Sequence, residues 1–374
     1  MKIGIIQTSF RSWGGGEKQA IRLASSLGAL GHDVHLYTPS FDRSLFGRCD
    51  RFQLHETLRL AGNRIANPLI ELASLVIHVS NDLDIINCHN YPTEIAGYFC
   101  KAKTGIPVVW MCNEPPLFYF GQGSSMFGHL GPARDAFKAL DVRAVRAIDR
   151  VVVLDEINRV RVRRLYSRDA TIVRTGVDTE FEPTLREDVR RSYDLSDSIA
   201  ILQVGLSDSK RPIDAIKAIF ILRGKGLNVK LILAGKPTVE LVNIINQTKS
   251  ASIIVAGALG EGELSKLYVA CDIVVFPAEQ TWGLTAVEGM AAGKPVIVSN
   301  CAGVAEIVQH GVNGYIVQSR NPKEMATVIQ MLARDPNLRE TIGNNAKSFI
   351  SRNLSWKSYA QTMEKIFRGV LENP

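Results

Sequence analysis

The sequence predicts an α/β protein of two successive doubly wound parallel-sheet domains, and three observations carry that prediction. The chain has 374 residues, more than one hydrophobic core of ordinary size organises. Short Ile- and Val-rich runs alternate with longer stretches of helical periodicity, the pattern of parallel strands covered on both faces. The alternation breaks near Gly176-Val177-Asp178 and the charged stretch 180–197 with its Pro183, then starts again. In chain order the first series of strands is read at 2–8, 33–39, 84–90, 107–113, 150–155 and 171–176. The second lies at 200–205, 229–235, 253–258, 273–278 and 295–300. Helical spacing of apolar residues falls at 17–30, 93–104, 133–148, 157–166, 212–224, 261–270, 284–292 and 322–334. From Ser355 to Leu371 the residues Trp356, Tyr359, Met363, Ile366, Phe367 and Val370 recur at three and four, which predicts an amphipathic helix. The domains are therefore expected at 1–180 and 181–354, with a C-terminal helix over 355–374 packing back on the body.

Lys and Arg exceed Asp and Glu by 44 to 37 and are spread along the chain. That evenness excludes a basic tail or a dense nucleic-acid stripe, while an anionic small substrate or a weak attraction to acidic membrane stays open. No apolar run approaches the ~20 residues of a spanning helix. The start, MKIGIIQTSF, reads as a first strand and not as a signal peptide. Six cysteines show no C-x-x-C pair and no zinc-like spacing, which suits buried thiols in a reducing cytoplasm.

Two stretches carry chemistry. Gly14-Gly15-Gly16-Glu17 follows the first strand and opens a helix, so its backbone N–H groups suit a phosphate or sugar oxygen; a plain tight turn uses the same residues. The G-x-G-x-x-G fingerprint fails at Gln19, which disfavours a nicotinamide enzyme. In the second series Pro277-Ala278-Glu279-Gln280-Thr281-Trp282-Gly283 leads from a strand into a helix at Leu284, whose unpaired N–H groups suit a diphosphate. Glu288, a turn further on, presents a carboxylate to vicinal hydroxyls or simply complements the helix dipole.

With Gly289-Met290-Ala291-Ala292-Gly293-Lys294-Pro295-Val296-Ile297 added, this stretch resembles the signature of the retaining, nucleotide-sugar-dependent glycosyltransferases of the GT-B type, the large family that includes sucrose synthases and many mannosyltransferases. The resemblance runs on through Ala302–Val308 and Gly311–Gly314, back through Glu261–Leu264 to Lys210, and to the glycine loop at 14–17, so it covers nearly the whole chain. It implies two Rossmann-like domains facing each other across a cleft. The donor would be held by Gly15, Gly16, Lys210, Arg211, Glu279, Gln280, Trp282, Gly283, Leu284 and Glu288. Glu288 would grip the ribose, and Lys210 would neutralise the departing diphosphate. His89, Lys210 and Gln280 are the catalytic candidates, and Asn90, Asn113 and Glu114 the acceptor-binding ones; a lone His is as readily structural.

Three departures from the family pattern stand out. Gln280 occupies the place of the first signature glutamate, no arginine follows Gly205, and Asn113 stands where many relatives have a histidine. The implied reaction is transfer of a hexose from a nucleoside-diphosphate sugar to a glycan, lipid-linked or small hydroxyl acceptor, with retention, no cofactor and no metal. A nucleotide-sugar isomerase of the same architecture and a non-catalytic nucleotide-sugar-binding protein are the alternatives. Between 134 and 174 there are 11 basic against 6 acidic residues, among them Arg159, Arg161, Arg163 and Arg164. They form either a solvated helix face or a peripheral contact at the inner face of a membrane.

Overall fold

The computed structural model describes residues 1–11, 14–46, 50–58, 66–116, 133–248, 250–279 and 282–372. They form two compact units, Met1–Gly176 joined by the C-terminal helix from Trp356, and Val177–Ser355.

The first unit runs β1 (Lys2–Ile6), α1 (Gly15–Ala29), β2 (Asp33–Thr38), the single turn α2 (Arg43–Phe46), β3 (Gln53–Glu56), α3 (Ala66–His78), β4 (Ile85–His89), α4 (Thr93–Thr104), β5 (Val108–Cys112), α5 (Ala133–Ala147), β6 (Arg150–Val153), α6 (Glu156–Tyr166) and β7 (Thr171–Ile172). Its seven strands are ordered β3-β2-β1-β4-β5-β6-β7, and every neighbouring pair is parallel. Every residue of β4 and β5 is buried, because helices cover both faces, and this is why those strands read as unbroken apolar runs. The edge strand β3 has no fully buried residue, so no apolar run marks it and the sequence reading passes over it. Ile6, Leu75, Ile86, Val108, Trp110 and Tyr166 lie in the core.

The second unit runs α7 (Arg186–Ser192), β8 (Ile199–Val204), α8 (Pro212–Gly224), β9 (Val229–Ala234), α9 (Val239–Thr248), β10 (Ile253–Gly257), α10 (Glu261–Ala270), β11 (Ile273–Phe276), α11 (Leu284–Ala291), β12 (Val296–Ser299), β13 (Tyr315–Val317), α12 (Pro322–Arg334) and α13 (Pro336–Asn353). The sheet order is β10-β9-β8-β11-β12-β13, again all parallel. The charges around 190, read from sequence as part of the break between the two series of strands, have a structural task. Arg190 is buried and donates to Ala270 O, Leu195 O, Ser198 O and Asp272 Oδ2 at 2.6–3.0 Å, while Asp272 also accepts from Arg186 and from Ala200 N. A buried guanidinium is tolerable only when its donors are so matched, and the set fastens α7 to the start of β8 and β11.

The last helix, α14 (Trp356–Glu372), belongs to the first unit. Its buried stripe is Tyr359, Ala360, Met363, Phe367 and Val370, and the Tyr359 hydroxyl accepts from Gln19 Nε2 of α1 at 2.8 Å.

Open parallel sheets bind ligands beyond the carboxyl ends of their strands, where successive connections leave in opposite directions. The strand orders put those points between β1 and β4 in the first unit and between β8 and β11 in the second.

Candidate active site

In the second unit, two loops meet at the β8/β11 point. The first leaves β8 through Gly205, whose φ of +87° is the left-handed conformation that glycine enters without a Cβ penalty. The stem of Lys210 folds over that glycine, its Cγ 3.2 Å from where a Cβ would stand, and carries Nζ to 5.0 Å from the Phe276 ring centroid. The buried Gln203 of β8 fixes the loop by donating to Lys210 O at 2.9 Å. Arg211 is the left-handed N-cap residue of α8, and its guanidinium lies on Asp214 through bonds of 2.8 and 3.1 Å. Its charge is thus already matched within its own helix.

The second loop leaves β11 after Phe276. Glu279 N donates to Ser209 O at 3.0 Å, which ties the two loops together. The Glu279 carboxylate accepts from Arg320 Nε and Nη2 at 2.7 and 3.0 Å and from the Ser319 hydroxyl. The Arg320 hydrogen bonds foremost, aided by Ser319, hold it down to about 2. Gln280 lies outside the described residues. Trp282 is buried, and Gly283, at φ +87°, is packed so that a Cβ would stand 2.5 Å from Phe276 Cε1. Phe276 is therefore the shared neighbour of Gly283 and Lys210.

From Gly283 the chain enters α11, which has no side-chain cap, so the N–H groups of Leu284 and Thr285 precede the first intrahelical donor, Ala286, which bonds Gly283 O. One turn later Glu288, only 7% exposed, accepts from the Tyr268 hydroxyl at 2.9 Å. The arrangement brings a lysine and a helix N-terminus together at Phe276, with a carboxylate one turn into the same helix, and these are the elements that bind a diphosphate and a diol.

In the first unit, the β1/β4 point gathers Gly16, Asn90 and Asn113. A Cβ on Gly16 would stand 2.7 Å from Asn90 Nδ2 and 3.5 Å from Asn113 Nδ2, so a larger residue here would push the Asn90 amide aside. Gly14 caps α1 from outside, and Gly15 is its first residue. Asn90 adopts φ +61° and donates to Gln7 Oε1 at 3.3 Å. Asn113 O accepts from Asn158 Nδ2 at 2.8 Å, while its buried Oδ1 has no hydrogen-bond partner among the described residues. Glu114 follows, half-buried, within the electrostatic reach of Arg161 on α6.

His89 is fully buried at the end of β4. Asn87 Nδ2 donates to Val109 O, which leaves Asn87 Oδ1 to accept from His89 Nε2 at 2.9 Å. Nδ1 is then the bare nitrogen, without a partner among the described residues. Burial lowers the imidazole to about 3, so it is neutral at neutral pH.

Arg320, Ser319, Gln203 and Tyr268 were not singled out from sequence as site residues. Gln203, a polar residue in an otherwise apolar strand, and the positive φ of Arg320 beside the helix-capping Asn321 are the signals that mark two of them. Among the described residues no three His, Cys, Asp or Glu side chains gather as a metal site, and no helix is long and apolar enough to cross a membrane. On α6, Arg163 and Arg164 are exposed, whereas Arg159 pairs with Glu156 at 3.2 Å.

Residues 186–349 match the family model described as glycosyl transferases group 1, and residues 13–181 match the one described as Glycosyltransferase Family 4. The chain belongs to the group 1 glycosyltransferases. Across its whole length it is 24% identical to an uncharacterised glycosyltransferase of Methanocaldococcus jannaschii, covering 99% of that protein. It is 25% identical to a D-inositol 3-phosphate glycosyltransferase of Corynebacterium kroppenstedtii, over 96% of this chain and 86% of that one. Among crystal structures, HepE of Anabaena in complex with UDP-glucose aligns with a TM-score of 0.83 at 18% identity, over 99% of this chain and 100% of that one. Sucrose-phosphate synthase of Thermosynechococcus elongatus aligns at 0.81 and 17% identity, with both chains covered completely. The fold of this glycosyltransferase is GT-B, its two Rossmann-like sheets having seven and six strands.

Proposed function

We propose that this glycosyltransferase takes a hexose from a nucleoside-diphosphate sugar held by the second unit and passes it, with retention, to a hydroxyl acceptor held by the first. The observation that carries the reading is the convergence on Phe276 of Lys210 and Gly283, with the uncapped start of α11 and Glu288 a turn beyond. The N–H groups of Leu284 and Thr285 and the Lys210 ammonium would receive the diphosphate and stabilise it as it departs, while Glu288 would accept from two ribose hydroxyls. Arg211 and Glu279 are engaged by Asp214 and Arg320, so they shape the loops around the donor more than they charge it. That HepE was crystallised with UDP-glucose makes a uridine donor the first to try.

Same-face attack assisted by the leaving phosphate accounts for retention without a protein nucleophile. Neutral His89, with its bare Nδ1, would serve as a hydrogen-bond acceptor and not as a base. Asn90, Asn113 and Glu114 would line the acceptor edge, which suits a glycan, a lipid-linked sugar or a small polyol. We read the chemistry as needing no metal or cofactor, so turnover should survive EDTA. Exposed Arg163 and Arg164 suit peripheral contact of a cytoplasmic enzyme with acidic lipid, which salt would reverse.

Incubation with UDP-, GDP- and ADP-sugars and a panel of hydroxyl acceptors tests the reading, the anomeric configuration of the product being followed by NMR. Transfer with retention supports it. An epimerised donor indicates the isomerase, binding without turnover the non-catalytic binder, and an inverted product removes the retaining mechanism. Glu288→Ala should weaken nucleoside-diphosphate binding by about tenfold or more in titration calorimetry, the weight of a hydrogen bond to a charged group.

A further inference from the structure

Tyr268 stands in the last turn of α10, 2% exposed, with its ring set edge-on against Phe181 at 6.3 Å between centroids and 81° between planes. Its hydroxyl lies 2.9 Å from two acceptors on α11, the Thr285 carbonyl in the first turn and Glu288 Oε2 one turn later. One phenolic hydrogen serves both, and the carboxylate is the stronger acceptor. Burial first, and Glu288 second, push the phenol well above its ordinary value, so it remains a donor through the neutral range.

A glutamate side chain on a helix has three rotatable bonds, and fixing them on ligand binding costs affinity unless they are fixed beforehand. We propose that Tyr268 is a positioning residue that preorganises Glu288 for the ribose hydroxyls, and so sets the enzyme's preference for a nucleotide with an intact 2′,3′-diol. The inference rests on the assignment of Glu288 to the ribose. Because the same hydroxyl also touches the first turn of α11, it fixes the carboxylate relative to the N–H groups proposed for the diphosphate. Tyr268 reaches no ligand itself; it acts through Glu288. Phe181 supports the ring that carries the hydroxyl, so it belongs to the same support.

The test compares two probes, the one of UDP, GDP and ADP that raises the thermal midpoint most and its 2′,3′-dideoxy counterpart, in wild type, Tyr268→Phe, Glu288→Ala and the double variant. Wild type should prefer the diol by about ten- to a hundredfold, the range of hydrogen bonds to a charged group. Tyr268→Phe keeps the ring and should narrow that preference at least about threefold, mainly by weakening the native nucleotide and leaving the dideoxy probe nearly as before. Glu288→Ala should abolish the preference, and Tyr268→Phe should then change it no further. A merely structural role would weaken both probes equally and leave their ratio alone, and that result overturns the inference while the ribose assignment stands. A preference that survives Glu288→Ala, or no midpoint rise with any of the three nucleotides, overturns the ribose assignment and the inference with it.

Discussion

Replacing Gly283 by alanine tests the packing at the start of α11. Two costs follow from the geometry. At φ +87° and ψ 50° the residue is left-handed, which for an L side chain costs ~1–2 kcal/mol. The added methyl would also stand 2.5 Å from Phe276 Cε1 and 3.0 Å from Cζ. Phe276 is 2% exposed, so its ring cannot swing into solvent, and overpacking of that kind costs ~1–3 kcal/mol. The sum is ~2–5 kcal/mol, which in a unit of about 180 residues lowers the thermal midpoint by roughly 4–20 °C. The nearest relief is a shift of the ring or of the helix start. Either disturbs the seat of Lys210 over Phe276 and the first N–H groups of α11, so nucleoside-diphosphate affinity should fall as well. The assay is a thermal melt with and without UDP, beside Gly262→Ala in α10, where a Cβ meets open space. That control should match wild type or gain ~0.5–1 kcal/mol from lower backbone entropy in the unfolded chain. If Gly283→Ala melts with wild type and keeps its nucleotide affinity, the packing argument for this turn is wrong.

Glu279 is held to about 2 by Arg320, below its unfolded value of ~4.3, so its contribution to stability is complete above that value and is lost as pH falls toward the folded one. Arg320→Ala should therefore show a shallower loss of thermal midpoint than wild type between about pH 5 and pH 2.5; parallel curves would mean the ion pair is not kept in solution. Tyr359→Phe removes the acceptor of the buried Gln19 Nε2 and should cost ~1–3 kcal/mol in chemical unfolding, part of which a Gln19→Leu, Tyr359→Phe double variant recovers. Equal losses in the single and double variants would show that the bond itself carries nothing.

Much of this was legible beforehand because it follows from covalent geometry close to the residue concerned. Strands such as β4 and β5 announce themselves because burial on both faces demands apolar side chains at every position, and α14 because only every third or fourth residue meets the body. The turn at Gly283 was visible because a left-handed residue opening a helix calls for glycine. The edge strand β3 left no comparable trace, since half-exposed positions accept polar residues.

The order of residues alone predicts the parallel sheets, the two loops that bring Lys210 and Glu288 to a strand edge, and the family they resemble. What those side chains touch follows from the three-dimensional packing. Glu279, read as a donor ligand, meets Arg320 from 41 residues away, and Glu288 meets Tyr268 from 20 residues before it. Arg190, which the sequence places in the charged break between the two series of strands, is buried among four acceptors drawn from separate segments. His89 owes its neutrality to burial beneath the chain around it. Periodicity reports only which face of an element is covered. The partners of a polar atom are set where loops from distant strands converge, and there a buried charge must find acceptors or donors wherever the fold brings them.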